Sequence, residues 1–262
     1  MSVFQAVTLC DVLEFETAGD VTLVSDPPLP FDSATNLALR AALLLRATAR
    51  VQAGARIRLR KRIPVAAGLG GGSADGAATL LALQTLWGLT TFDLNPIAVQ
   101  LGSDVPYFFG SATALVRGRG ERLTSLPPLS PRAVLLVRPP VALATAHVFA
   151  QLRPPEWTDG SATLSLAASL AAGEGMVEEH LRNGLLAAAE RCCLPLRTLR
   201  EALQAEGWTP HLSGSGPTIF LFPESPAEAA RIRTCAEALG AECWGCRTLR
   251  QPPLKVRRPG LE

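Results

Sequence analysis

The residues best suited to chemistry lie between Pro64 and Ala78, in the run PVAAGLGGGSADGAA. Four of the five positions from Gly68 to Gly72 are glycine. Ser73 follows, then small and apolar residues that a helix accepts through Leu80, Leu81 and Leu83. Without Cβ atoms, glycines reach left-handed backbone angles and bring their N–H groups close to a ligand. A helix starting directly behind such a loop points unpaired N–H groups and the positive end of its dipole at the same place. The chemistry implied is anion binding, most naturally of phosphate. A ligand-free surface turn is the bland alternative, and the apolar residues on both sides, which would anchor the loop, weigh against it. Two familiar phosphate loops are excluded by spelling. No lysine follows the glycines as in GxxxxGK[ST]. A dinucleotide fingerprint needs an acid about 20 residues further on, where this chain has Leu94, Asn95 and Pro96.

Asp104 is a second candidate, in the stretch LGSDVPYFF. An acid between glycine and Val-Pro, ahead of an apolar aromatic run, is expected half-buried in a loop. Taken alone it reads first as a turn or cap residue, because aspartate bonds nearby backbone amides. Leu212, Ser213, Gly214, Ser215, Gly216, Pro217 and Thr218 form a turn ahead of an apolar strand. Cys243 and Cys246 make a CWGC pair among six cysteines. A structural zinc site needs a second ligand pair at suitable spacing. None is evident, so the thiols read as reduced, small hydrophobes.

These residues must be positioned by a chain of 262 residues, enough for one large or two modest domains. No apolar run is long enough to span a bilayer. The opening MSVFQAVTLCDVLEFET carries acids where a signal peptide needs a basic start. A cytoplasmic location with no membrane partner is expected. The net charge of +2 argues against a nucleic-acid surface. Arginine supplies nearly all the positive charge, since Lys61 and Lys255 are the only lysines.

Periodicity predicts a strand, a turn near Asp11 and a strand within 3–16, then a short strand over 21–24. A helix is predicted over 36–53, stopped by Gly54, and an alternating strand over 56–63 with Ile57 and Leu59 inward and Arg58 and Arg60 outward. This strand feeds the glycine loop, and the helix behind it is expected to stop near Trp87 at Gly88. Asp93 caps a further helix with Pro96 in its first turn. A hairpin is expected over 112–126, and the proline-rich 126–131 is the best linker. Beyond it come a strand over 133–137, helices starting at Thr145 and within 162–170, and two more after Asn183 and Pro195. A strand over 219–222, a helix capped by Ser225 and a closing strand over 243–249 complete the pattern. The expected division is a nucleotide-binding domain over 1–129, an α+β domain over 130–251, and a poorly ordered basic tail over 252–262.

The glycine stretch resembles the second motif of the GHMP small-molecule kinases. Within that superfamily it is most similar to the 4-diphosphocytidyl-2-C-methyl-D-erythritol kinases, which carry KxIPxxAGLGGGSSDAA. Here Lys61, Ile63, Pro64 and Ala67 lead into the loop, while Ala74 and Gly76 replace a serine and an alanine of the pattern. The resemblance implies an α+β, two-domain GHMP kinase fold, with a ribosomal-protein-S5-like N-terminal domain, a ferredoxin-like C-terminal domain and the active site between them. It implies ATP and Mg²⁺ as cofactors. ATP would meet Pro64, Val65, Ala66, Ala67, Gly68, Leu69, Gly70, Gly71, Gly72, Ser73 and Ala74, with Ser73 also able to reach the metal and with Asn36 and Lys61 on the adenosine side. The family's LGADVPFF places its catalytic aspartate at Asp104. The stretch from Leu212 is similar to the family's third motif, which implies substrate contacts at Gly214, Ser215 and Gly216. TAHVF is similar to the family's TPxVF, with Thr145 near the substrate and Phe149 stacking on the cytosine, although Phe149 alone reads as core. Asn183 matches the first residue of the family's ND pair, Gly184 replaces the second, and no role follows for it.

The family's opening segment, AxINLxLxVxGRRxDGYHxL, has no counterpart, and this chain starts like the segment after it. The lysine paired with the catalytic aspartate, the tyrosine and histidine that hold the cytidine, and the first strand would all lie there. A sheet edge would be left unpaired. The expectation is an internal methionine taken as the start of a longer gene. The alternatives are another GHMP kinase, for homoserine or mevalonate, or a catalytically impaired nucleotide-binding protein. Small-molecule partners and a monomer or weak homodimer are expected.

Overall fold

The computed structural model describes residues 1–257. The first half contains β1 (Ser2–Gln5), β2 (Val12–Ala18), β3 (Thr22–Asp26), α1 (Leu37–Thr48), β4 (Gly54–Arg60), α2 (Gly71–Leu86), α3 (Asn95–Leu101), β5 (Thr113–Arg117) and β6 (Arg122–Ser125). β2 lies antiparallel and β3 parallel to the central β4, and a second, antiparallel sheet runs β1-β5-β6 with β1 at its edge. On β4 the alternation expected from sequence holds: Ala55, Ile57 and Leu59 are buried. Arg56, Arg58 and Arg60 stay in solvent opposite Glu14 and Glu16. Exposed pairs of this kind contribute about 0–1 kcal/mol each, so the buried face holds the sheet. That face packs on Ala41, Ala42 and Leu45 of α1, Ala77, Leu80 and Leu83 of α2, and Ile97, Ala98 and Leu101 of α3.

Two boundaries differ from the sequence expectation. α1 stops at Thr48, with Ala49 as its cap and Arg50 at φ 55°, rather than at Gly54. Gly54 instead opens β4, where a Cβ would lie 2.3 Å from the carbonyl carbon of Asp20, so the glycine permits a chain crossing. β4 ends at Arg60 rather than near Ile63, because Arg62 and Ile63 give their amides to Asp11.

The chain passes through 126–132 into β7 (Ala133–Arg138), α4 (Thr145–Ala150), α5 (Ser161–Ala171), α6 (Leu186–Cys192), α7 (Leu194–Ala205), β8 (His211–Leu212), β9 (Ile219–Leu221), α8 (Pro226–Ala238) and β10 (Glu242–Arg247). The antiparallel order β10-β7-β9-β8 is the ferredoxin-like arrangement. Alternation along its strands gives this sheet two apolar faces. Leu135, Val137 and Leu221 meet Leu196, Leu199 and Leu203 of α7 and Ile232 and Ala236 of α8. On the other face Val134, Leu136 and Cys246 meet Val7, Leu9 and Leu69 from the first half. Backbone bonds extend this seam: Thr8 N–H donates to Arg247 O at 2.9 Å and Leu249 N–H to Ala6 O at 2.8 Å. The tail expected to be poorly ordered contributes Leu254 to the first half's core, and 258–262 lie outside the described residues. All six cysteines are free, and burial pushes the Cys243 thiol up to about 11.

Candidate active site

The glycine loop is fixed at its foot by three charges. Lys61 Nζ lies 2.6 Å from Asp11 Oδ2 and 2.7 Å from Asp75 Oδ2, and all three side chains are almost fully buried. Asp11 Oδ1 accepts the amides of Arg62 at 2.6 Å and Ile63 at 2.9 Å. Burial outweighs the attraction of Lys61 and, with help from the neighbouring Asp11, raises the Asp75 carboxyl to about 7. Lys61, expected on the adenosine side, has its ammonium paired with two carboxylates at the foot of the loop. Asp11 does more than turn the chain, and Asp75 was overlooked. A lysine beside an apolar strand end needs a buried partner, which was the available signal.

Ala66, Gly68 and Gly70 take positive φ angles of 52°, 72° and 68° as the loop climbs to α2. The first helical bond of α2 runs from Ala74 N–H to Gly70 O at 2.9 Å. The amides of Gly71, Gly72 and Ser73 therefore sit in the first turn, without acceptors inside the helix. Leu37, the first residue of α1, packs on Gly72 and Gly76, so the two helices start side by side. Asn36 is buried and caps α1, its Oδ1 accepting Ala38 N–H at 2.8 Å.

The Asp104 segment is brought to this loop by packing. A Cβ on Gly70 would lie 3.3 Å from Phe108 Cζ, and one on Gly120 would lie 2.4 Å from Ser103 O. The aromatic run thus backs the glycine loop, and the β5–β6 turn backs the residue before Asp104. Asp104 is half-buried, and burial raises its carboxyl above the usual range. A carboxyl in that condition is a better proton acceptor than an exposed one.

The third-motif turn closes on the loop from the second half. Ser213 Oγ donates to Gly68 O at 2.9 Å and Thr218 N–H to Ala67 O at 3.4 Å. A Cβ on Gly68 would lie 2.5 Å from Ser213 O and 2.9 Å from Gly216 N, so two backbones touch where only glycine fits. Ser215 Oγ and Thr145 Oγ1 are 2.8 Å apart, which joins two of the substrate-side candidates. Phe149 lies four residues on from Thr145, on the same side of α4. It is 55% exposed, which excludes the core reading. Asn183, given no role from sequence, donates to Leu212 O and Gly214 O.

The arrangement suits a phosphorylated ligand. Free amides at a helix start, reached by a glycine loop, supply donors for phosphate. No cluster of three or more His, Cys, Asp or Glu that could hold a metal occurs among the described residues. Mg²⁺ fits such a site all the same, because it is usually carried on substrate phosphates with one or two protein oxygens.

Comparison with known proteins gives the same direction. The family model described as GHMP kinases N terminal domain matches residues 36–111, and that described as GHMP kinases C terminal matches 166–242. The chain is 42% identical over 227 residues to a 4-diphosphocytidyl-2-C-methyl-D-erythritol kinase of Pelotomaculum thermopropionicum, covering 83% of this chain and 78% of the relative. It is 36% identical over 263 residues to the protein of that name from Symbiobacterium thermophilum, covering 95% and 90%. A crystal structure of 4-(cytidine 5'-diphospho)-2C-methyl-D-erythritol kinase superposes with a TM-score of 0.74 at 36% identity, over 94% of this chain and 88% of that one. A homoserine kinase from Cytophaga hutchinsonii shares the fold, with a TM-score of 0.70 at 20% identity over 92% and 86%. By motif, fold and relatives, the chain belongs to the GHMP kinases and, within them, to the 4-diphosphocytidyl-2-C-methyl-D-erythritol kinase family.

Proposed function

We propose that the protein transfers the terminal phosphate of ATP to the 2-hydroxyl of 4-diphosphocytidyl-2-C-methyl-D-erythritol, in the non-mevalonate route to isoprenoid precursors. The observation that carries this reading is identity above a third, across nearly the whole chain, with proteins of that name. The homoserine and mevalonate kinases share the fold at 20% and 15% identity, too little to carry their substrates over.

Positioning and charge stabilisation do most of the catalysis in phosphoryl transfer. The free amides of Gly71, Gly72 and Ser73 hold the phosphates, and the tight loop before them excludes side chains from that space. Mg²⁺ carried on the nucleotide would neutralise phosphate charge, with the Ser73 hydroxyl as a protein ligand. The Asn36 amide, whose oxygen is spent on the α1 cap, keeps its N–H groups for the nucleobase. Lys61, Ile63 and Val65 help line a neighbouring cavity of about 250 Å³, which would receive the adenosine. Thr145 and Ser215 face the alcohol substrate, and Phe149 offers an open ring for the cytosine. Asp104 accepts the proton of the attacking hydroxyl, or orients it.

General-base help of this kind is typically worth about 10²–10⁴ in rate. Asp104→Ala is therefore expected to lower kcat by that range while leaving ATP affinity within about threefold. Turnover at the wild-type rate in that variant rejects the assignment. Assaying ATP consumption with the cytidyl alcohol, homoserine and mevalonate separates the three kinase readings, and a non-catalytic nucleotide-binding protein consumes nothing with any of them.

A further inference from the structure

We propose that Asn183 is a positioning residue: it holds the turn over 213–216 against the glycine loop and so fixes the Ser215–Thr145 hydroxyl pair. The inference deepens the kinase reading and rests on it for the identity of the alcohol. The carboxamide is engaged at both ends. Nδ2 donates to Leu212 O at 3.0 Å and to Gly214 O at 2.8 Å. Oδ1 accepts Leu185 N–H at 2.9 Å, beside the start of α6. Two carbonyl partners on one end and an N–H on the other assign the orientation of the amide, because the flipped form would set its oxygen against two carbonyls.

What Asn183 grips is a stretch whose backbone depends on two glycines. Gly214 and Gly216 have φ angles of 56° and 78°, and between them Ser215 is buried with its hydroxyl on Thr145. The same turn rests on Ala67 and Gly68. Inside the turn, Gly216 N–H donates to Ser213 O and Ser213 N–H to Thr218 O. Those bonds define its shape but not its placement relative to the substrate side, and the Asn183 fork supplies that. The neighbouring Gly184 fits this role: a Cβ there would meet Thr158 Cγ2 at 3.3 Å and Glu156 O at 3.4 Å. The segment over 156–158 therefore covers the clamp closely, and Arg191 ties Glu156 to α6.

Asn183→Asp is the informative variant, since it keeps the shape and the acceptor for Leu185 N–H but loses both donors. The whole protein is compared with wild type in three measurements. Hydrogen exchange without ligand should speed up in a peptide covering 211–218 and stay unchanged in α8. With the cytidyl alcohol varied, kcat/KM should fall at least tenfold while the Kd for an ATP analogue stays within threefold. Combined with Ser215→Ala, the loss should be smaller than the product of the two single losses, because both act on one hydroxyl pair. Unchanged protection over 211–218, wild-type kcat/KM, or strictly multiplicative losses each overturn the proposal. If wild type itself does not turn over the cytidyl alcohol, the kinase reading fails, and hydrogen exchange still decides the positioning role. If Asn183→Asp does not fold, Asn183→Ser, which can reach at most one of the two carbonyls, is read in the same way.

Discussion

Lys61, Asp11 and Asp75 place an ammonium and two carboxyl groups in contact, out of water, at the foot of the phosphate loop. Losing one partner of such a group leaves a buried charge uncompensated, which costs about 3–5 kcal/mol when the lost partner is the sole cation. Asp75 adds a pH dependence. Its carboxyl, raised from 3.8 to about 7 first by burial, keeps a proton in the folded chain at pH values where the unfolded chain has lost it. Between those two values the folded state binds more protons, so stability falls as pH rises through the window and levels off above it. Asp75→Asn carries no such proton. The variant-minus-wild-type difference in unfolding free energy should therefore climb across that window and flatten above about pH 8. At about 1.4 kcal/mol per pKa unit, the climb is bounded by about 4 kcal/mol. Urea unfolding of both proteins at a series of pH values reads this directly, and parallel curves would show Asp75 ionised throughout. None of this trio was legible as a unit in the sequence. Asp11 and Lys61 are 50 positions apart, and only the fold says that they meet.

Within α2, two glycines one turn and a residue apart face opposite constraints. A Cβ on Gly71 would sit 2.7 Å from Ile63 Cγ2 and 3.1 Å from Lys61 Nζ, inside the buried charge cluster. A Cβ on Gly76 would touch Leu37 at 3.5 Å, an ordinary contact. Gly71→Ala should therefore destabilise by about 1–3 kcal/mol through overpacking. Gly76→Ala should stabilise by about 0.5–1 kcal/mol, because alanine gives up less backbone entropy inside a helix. Thermal unfolding of the two variants checks the sign, and the reverse order would mean that the helix start is misplaced. Local signals made this element readable from sequence: the glycine run, the small residues behind it, and the alternation of β4 ahead of it. Boundaries were less readable where a tertiary contact decided them. Gly54 looked like a helix stop and is a chain crossing over Asp20. Asn183 carried no local signal, because its acceptors lie 29 and 31 residues away.

At the scale of the molecule, the second sheet serves two cores. Helices α6, α7 and α8 cover one of its faces, and the other is covered by the first half, so the halves cannot separate without exposing Val134, Leu136 and Cys246. Leu69 is the member of that contact that belongs to the phosphate loop, and it is the one large apolar side chain among the glycines. The sequence showed Leu69 only as part of a motif. Its partners are on strands more than 60 positions later, so its work as an anchor became visible only with the sheet in place. Leu69→Ala removes this anchor while leaving the glycines and the α2 amides intact. Full burial makes such a truncation cost about 2–5 kcal/mol, and a half-buried leucine should cost less, about 1–2 kcal/mol. The urea midpoint should fall accordingly. The Kd for an ATP analogue should rise severalfold, because a loop released from the second sheet must be ordered again on binding. Leu43→Ala, at an exposed position of α1, serves as the control and should change neither quantity. A Leu69→Ala protein with the wild-type midpoint and affinity would mean that the backbone contacts at Ala67 and Gly68 hold the loop by themselves.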